Sequence, residues 1–229
     1  MTYQYYYNIT PEHGKVRNNL IYTSFISLDK KTFVQWYHND TEYHKGQNQV
    51  IDPAKMDDKW NREICYLTYM SDWYPDLVPR IQEIDLINKK IYLEIDGVDF
   101  WQQADCDMEN YDKVLPDWQE QMLAIIKAHR SLDLYKYSMH PSSYFIVGGK
   151  LKSINYFFCH EKREGPLTLA DYKSHISTDR QKQMRQHIEK IGIRWDSPEP
   201  QHVLQKLCLD SFRTNYPADF IEKAKAIYD

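Results

Sequence analysis

The pair Gly148-Gly149 constrains this chain more than any other two residues. Tyr144-Phe145-Ile146-Val147 precedes it and Leu151-Lys152-Ser153-Ile154-Asn155-Tyr156 follows, two runs rich in β-branched and aromatic residues. A two-residue loop whose central positions both need positive φ joins antiparallel strands, and glycine enters that region at no steric cost. A hairpin with strands over 144–147 and 151–156 is therefore expected.

Two earlier hairpins follow from the same reasoning. Residues 18–27 and 32–38 are separated by the turn-forming Leu28-Asp29-Lys30-Lys31, and residues 80–86 and 90–95 turn at Ile87-Asn88-Lys89 and end at Asp96-Gly97. Between them, Asp52-Pro53 offers an N-cap and a proline at the first helical position. Met56, Trp60, Ile64 and Leu67 then recur at helical spacing, the buried stripe of a helix over 53–72. A second helix over 116–132 carries Trp118, Met122, Ile125, Ile126 and His129 on one face, with His129 read as a packing or helix-terminal group. Helices over 178–190, 197–212 and 217–228 make the C-terminal third a helical bundle. The fold class is α+β: residues 1–96 form a small antiparallel sheet with one helix, and residues 97–229 a mainly helical part that holds the hairpin 144–156.

Composition narrows the function. A content of 42% hydrophobic and 14% aromatic residues fills a core, which excludes a disordered chain. With 29 basic and 33 acidic side chains the net charge is −4 and mixed along the sequence, so nucleic acid is not an expected partner. The Tyr5-Tyr6-Tyr7 cluster reads as an edge-strand face in preference to a stacking platform for bases. Lys182, Arg185 and Lys190 read as a solvated face. Cys65, Cys106, Cys159 and Cys208 form no CxxC pair, and neither Cys159-His160 with His175 nor His38 with His44 completes four zinc ligands, so no metal is expected. Reduced thiols and the lack of a long apolar run point to a soluble cytoplasmic protein with no membrane partner.

The run His140-Pro141-Ser142-Ser143, leading through the hairpin to Ile154-Asn155-Tyr156, resembles the catalytic and magnesium loops of the protein-kinase-like fold. The likeness is to its aminoglycoside phosphotransferase and choline kinase branch, where Asp-Leu-His-Pro-Gly-Asn leads into a hairpin and an Ile-Asp-Phe. The order of elements is similar too, a small sheet with one helix, a hinge, and a helix leading into the loop. The resemblance implies a bilobal protein-kinase-like architecture, with three acting positions replaced. Ser138 stands for the base Asp, and Ser143 and Asn155 for the magnesium ligands. Phe33-Val34-Gln35-Trp36 falls where the family strand ends in its phosphate-pairing lysine, so Trp36 replaces that lysine and is a candidate plug for the nucleotide pocket. Glu63 falls where the family's helix glutamate would reach it, or is an ordinary solvated helix carboxylate. His140 is kept, as a brace for the loop with Pro141 or as a base in an altered mechanism. His13-Gly14-Lys15 reads as an ordinary hairpin loop or a tight turn near a ligand.

A serine hydroxyl does not accept a proton as a carboxylate does, and Ser143 with Asn155 offers magnesium only neutral oxygens. Weak or absent Mg-ATP binding and no cofactor are therefore expected. The leading expectation is a pseudokinase-like scaffold without phosphotransfer that acts by binding a protein partner or a small-molecule ligand. One alternative is an atypical phosphotransferase or nucleotidyl-type transferase working through Asp96, Asp99, Asp133, His140 or Glu161, and another is an α+β interaction protein that acts through a surface patch. His129-Arg130-Ser131-Leu132-Asp133 echoes His-Arg-Asp, but Asp133 lies ten residues before Ser143 where the family has five. Lys45-Gly46-Gln47-Asn48-Gln49 and Asp96-Gly97-Val98-Asp99-Phe100-Trp101-Gln102 resemble proteins of tailed phages that infect marine cyanobacteria. That implies a host protein as partner and the host cell cytoplasm as location. The kinase-like reading requires the helix over 53–72 to pack beside the first sheet.

Overall fold

A computed structural model describes residues 2–6, 8–10, 15–17, 23–38, 53–161, 208–209, 211–212 and 215–228. The expected helix over 178–190, most of that over 197–212, Gly14 and the stretch 45–49 lie outside the described residues. The chain is of mixed α+β class. Its strands are β1 (Tyr3–Tyr6), β2 (Asn8–Thr10), β3 (Lys15–Arg17), β4 (Thr23–Ser27), β5 (Thr32–Trp36), β6 (Ile81–Asp85), β7 (Lys90–Glu94), β8 (Leu134–Lys136), β9 (Tyr144–Val147), β10 (Lys150–Ser153) and β11 (Cys159–Glu161). The helices are α1 (Pro53–Trp73), α2 (Phe100–Gln103), α3 (Tyr111–Val114), α4 (Trp118–Ser131) and α5 (Ala218–Tyr228). Five strands make one antiparallel sheet in the order β1-β4-β5-β7-β6, with α1 following β5 in the chain.

Local chemistry sets the turns. Between β6 and β7 the Asp85 carboxylate accepts the amides of Ile87 and Asn88 at 3.1 and 2.9 Å, and Lys89 closes the turn at φ +52°. Between β9 and β10, Gly148 and Gly149 take φ +58° and +74°, as the two-residue loop requires. Strand β10 ends at Ser153, earlier than expected, because Asn155 turns left-handed at φ +67° and leaves the ladder. Helix α4 starts at Trp118, not at 116. Asp117, at φ −103° and ψ 23°, lies outside the helical region and takes the N-cap position.

Met56, Trp60, Ile64 and Leu67 are all buried, and Met70 extends the stripe by one turn. They pack beside the sheet: the Trp60 ring lies 5.5 Å from that of Tyr37, just past β5, in one core with Ile26, Phe33, Ile91 and Leu93. The opposite flank of α1 is covered as well. Arg62 donates to the Cys159 carbonyl at 3.4 Å, and Glu63 accepts the Phe157 amide. This first core draws Leu134, Phe145, Ile154, Tyr156 and Phe157 from beyond residue 97, so the sheet and α1 are not sealed by residues 1–96. A second core surrounds Trp118, whose ring is 5.1 Å from Tyr111 and 4.9 Å from Phe220 of α5. The segment 138–157 runs between the two cores and meets both.

Candidate functional site

Strand alternation sends successive residues of β5 to opposite faces of the sheet. Phe33 and Gln35 face the first core, and both are buried. Trp36 faces the other way, its ring tilted against those of His38 at 3.9 Å and Phe25 at 6.3 Å, with the Lys90 ammonium 4.9 Å from its centroid. The residues of β5 that reach the 138–157 segment are therefore Phe33 and Gln35, and Trp36 lies on the other face.

The polar groups at both ends of that segment are held by hydrogen bonds. Met139 is buried in the second core, where its carbonyl accepts from the Tyr216 hydroxyl at 2.6 Å. His140 follows as an N-cap: its Nδ1 accepts the Ser142 amide at 3.1 Å and meets the Ser142 hydroxyl at 2.8 Å, so the ring proton sits on Nε2. Burial pushes His140 down to about 4, which keeps the ring neutral, and its edge lies 5.4 Å from Trp101. The geometry is that of a brace. The Ser143 carbonyl accepts the Ile154 amide at 2.9 Å and ties the loop to the far end of the hairpin.

Asn155 is the junction. Its Oδ1 accepts from Gln35 Nε2 at 3.0 Å, its Nδ2 donates to Ser143 Oγ at 3.0 Å, and its carbonyl accepts from Ser138 Oγ at 2.8 Å. Lys136 donates to Ser138 Oγ at 2.9 Å and to the Ser138 carbonyl at 2.5 Å. The structure thus brings Ser138, Ser143 and Asn155 into one chain of neutral hydrogen bonds that begins at Gln35 and ends at Lys136. His140 adjoins it through Ser143, and Trp36 is not part of it.

Three ionisable groups, Glu63, Lys136 and His129, are buried at this chain. Glu63 is 0% exposed, which rules out a solvated carboxylate; its Oε2 accepts the Phe157 amide at 2.8 Å. Burial raises Glu63 to about 7, against the opposing pull of the Phe157 amide and the Lys136 charge. Burial likewise lowers Lys136 to about 7, and its ammonium lies 5.2 Å from the Tyr144 ring and 5.7 Å from that of Tyr156. His129, buried beside the Tyr156 hydroxyl at 3.1 Å, is pushed down to about 3 by burial and then by the Lys136 charge.

Beside Gln35 the space between sheet and hairpin is filled by rings. Phe33 lies 5.0 Å from Phe145 and 5.4 Å edge-on from Tyr6, and Tyr6 lies 6.3 Å from Phe145. The Tyr6 hydroxyl donates to the Asp99 carboxylate and accepts the Asp99 amide at 2.9 Å, which locks β1 onto the start of α2. Asp99 also caps α2 by accepting the Gln102 amide at 3.0 Å, and burial raises it to about 6.

The other acidic candidates take no part in the cluster. Asp96 is exposed and pairs with Lys31 at 2.6 Å, and Asp133 is exposed at φ +55° in the turn after α4. The Glu161 side chain lies outside the described residues. Among the described residues no group of three or more His, Cys, Asp or Glu side chains could hold a metal ion, and no helix is long and apolar enough to cross a membrane. Sequence reasoning missed Gln35, Lys136, Tyr6 and the Phe33–Phe145 pair. Alternation counted from Phe33 would have found Gln35; a lysine in a strand gives no signal of burial. Compared with models of known protein families and with curated proteins, the sequence matches none.

Proposed function

We propose that this protein is a pseudokinase-like scaffold that transfers no phosphoryl group and acts by binding a host protein or a ligand during phage infection. One observation carries the reading: Ser138, Ser143, Asn155 and Gln35 are linked to one another by hydrogen bonds between neutral groups, while the buried Lys136 supplies the cation of the cluster. Phosphoryl transfer needs a proton acceptor and charged metal ligands at such a centre, and these four side chains offer neither. Packing of α1 beside the sheet, followed by α4, the 138–157 loop and its hairpin, supports the bilobal kinase-like arrangement. The Tyr6, Phe33 and Phe145 rings support a cleft closed to a nucleotide base. The likeness of residues 96–102 to phage proteins supports work in an infected bacterial cytoplasm.

The test is the thermal midpoint with and without saturating ATP and magnesium, because a ligand of the folded state raises it by linkage. No shift is the expected result. A rise of several degrees, roughly 1 kcal/mol or more for a chain this size, would overturn the reading. Its loss in Asp99→Ala or His140→Ala would then move the chemistry to those residues.

A further inference from the structure

The face of the five-stranded sheet that turns away from the first core is not a plain solvated surface. Cross-strand register places Tyr5, Phe25, Val34, Tyr92 and Glu83 in one row across all five strands. The Tyr5 and Phe25 rings are 5.0 Å apart, and the Tyr3 and Tyr92 rings come within 6.4 Å although β4 and β5 separate their strands. The tyrosines lean together over the middle of the sheet, which is why Val34 is only 3% exposed on an outward-facing position. Tyr5 remains 47% exposed.

Charge at this face has one sign at one end. Glu83 stands across the strands from Tyr92, and among the described residues it has no hydrogen-bond or ion-pair partner. Asp29 lies at the β4–β5 turn, and the nearby cations Lys31 and Arg80 are taken by Asp96 and Glu94. The hydroxyls of Tyr3 and Tyr92 are pushed up by burial first and then by these carboxylates, Glu83 for both, Asp29 for Tyr3 and Asp85 for Tyr92. Clustered ring faces bordered by carboxylates attract cations through the ring quadrupole and through charge together. On this same face Lys90 already sits over the Trp36 ring. The same carboxylates repel phosphates, so stacked bases fit this face poorly.

We propose that the outward face of the sheet, centred on Tyr3, Tyr5, Phe25 and Tyr92 with Glu83, docks an arginine- or lysine-bearing segment of a partner protein. Guanidinium planes stack on the exposed rings, and Glu83 holds the charge. The site is separate from the Gln35–Lys136 cluster and does not depend on whether a nucleotide binds there.

The experiment titrates a fluorescent arginine–glycine repeat peptide into the full chain and follows anisotropy, with a glutamate–glycine peptide and a single-stranded oligonucleotide as comparators. Saturable binding of the arginine peptide alone is expected, weakened roughly tenfold by Glu83→Lys and by Tyr5→Ser. Both positions are exposed, so the thermal midpoint is expected to stay within about 2 °C of the parent, and an isosteric Glu83→Gln with an intermediate loss separates charge from shape. No saturable binding, equal binding to parent and variants, or stronger binding of the oligonucleotide would each overturn the proposal. The thermal-shift result with Mg-ATP bears on the other site only, so the two readings fail independently.

Discussion

Neighbouring residues of β5 live in different surroundings. Phe33 and Gln35 enter a dry interior where each polar atom is accountable: Gln35 Nε2 holds Asn155, while its Oε1 accepts no hydrogen bond among the described residues. Val34 and Trp36, one position away, belong to a second aromatic layer that is half open to water and edged with charge. The contrast teaches that on a two-sided sheet the chemistry of a position follows the parity of its place in the strand, and a one-residue misreading exchanges the two environments completely. It also separates two kinds of work. The inner face is closed to water, and the outer face offers contacts.

Truncating a ring on each side breaks the comparison most sharply. Phe33→Ala is expected to cost about 3–5 kcal/mol by urea denaturation, since it opens a cavity between Tyr6 and Phe145. Trp36→Ala on the outer face is expected to cost about 1 kcal/mol. Equal losses would mean that both faces are equally covered.

The buried ionisable pair gives the next largest effect, and its sign runs against the usual one for a carboxylate. Glu63 holds its proton in the folded state up to about 7, whereas the unfolded chain releases it near 4.5. Protonation therefore favours the native state, and this contribution is lost as pH rises from 4.5 to 7. His129 and His140, both lowered, slope the opposite way, so the difference between parent and variant is the quantity to read. Relative to the parent, Glu63→Gln is expected to gain stability across that window, by about 3 kcal/mol at its upper end. A flat difference from pH 4 to 8 would show that Glu63 is not desolvated. Lys136→Met should be more stable than the parent below pH 7, where the buried ammonium carries its full cost, with the advantage shrinking toward pH 10.5 as the unfolded lysine deprotonates.

Within the inner face, Gln35→Leu removes the hydrogen bond that Gln35 Nε2 donates to the buried Asn155 Oδ1 and is expected to cost about 1–3 kcal/mol. Combined with Ser143→Ala it should show coupling through Asn155, because both residues bond the same side chain. Additive losses would dissolve the cluster into separate contacts. The smallest effect is Tyr5→Ser, within about 0.5 kcal/mol, since the ring is already half in water.

Much of the frame was legible along the chain. The stripe from Met56 to Leu67 gave α1, Gly148-Gly149 gave the β9–β10 turn, and Ile87-Asn88-Lys89 gave the β6–β7 turn, because each signal is complete within a few residues. Ser138, Ser143 and Asn155 were legible as a group, and the structure joins them. The inward place of Gln35 was missed because the strand was aligned on Trp36 by family resemblance, where alternation counted from Phe33 puts Gln35 inward and Trp36 outward. Lys136 and the solvated reading of Glu63 went astray for a shared reason. A charged residue looks solvated until two elements distant in sequence close over it, as α1 and the segment from Tyr156 to Cys159 do here.

The sequence by itself determined the turns, the helical stripes and the absence of charge at the three polar positions, since these follow from φ preferences, spacing and side-chain type. Tertiary structure alone decided that Gln35 meets Asn155, that Glu63 and Lys136 share one dry interior, and that tyrosines from β1 and β7 lean together above Val34. Those outcomes depend on which surfaces exclude water from one another, a property of the closed molecule that no segment carries alone.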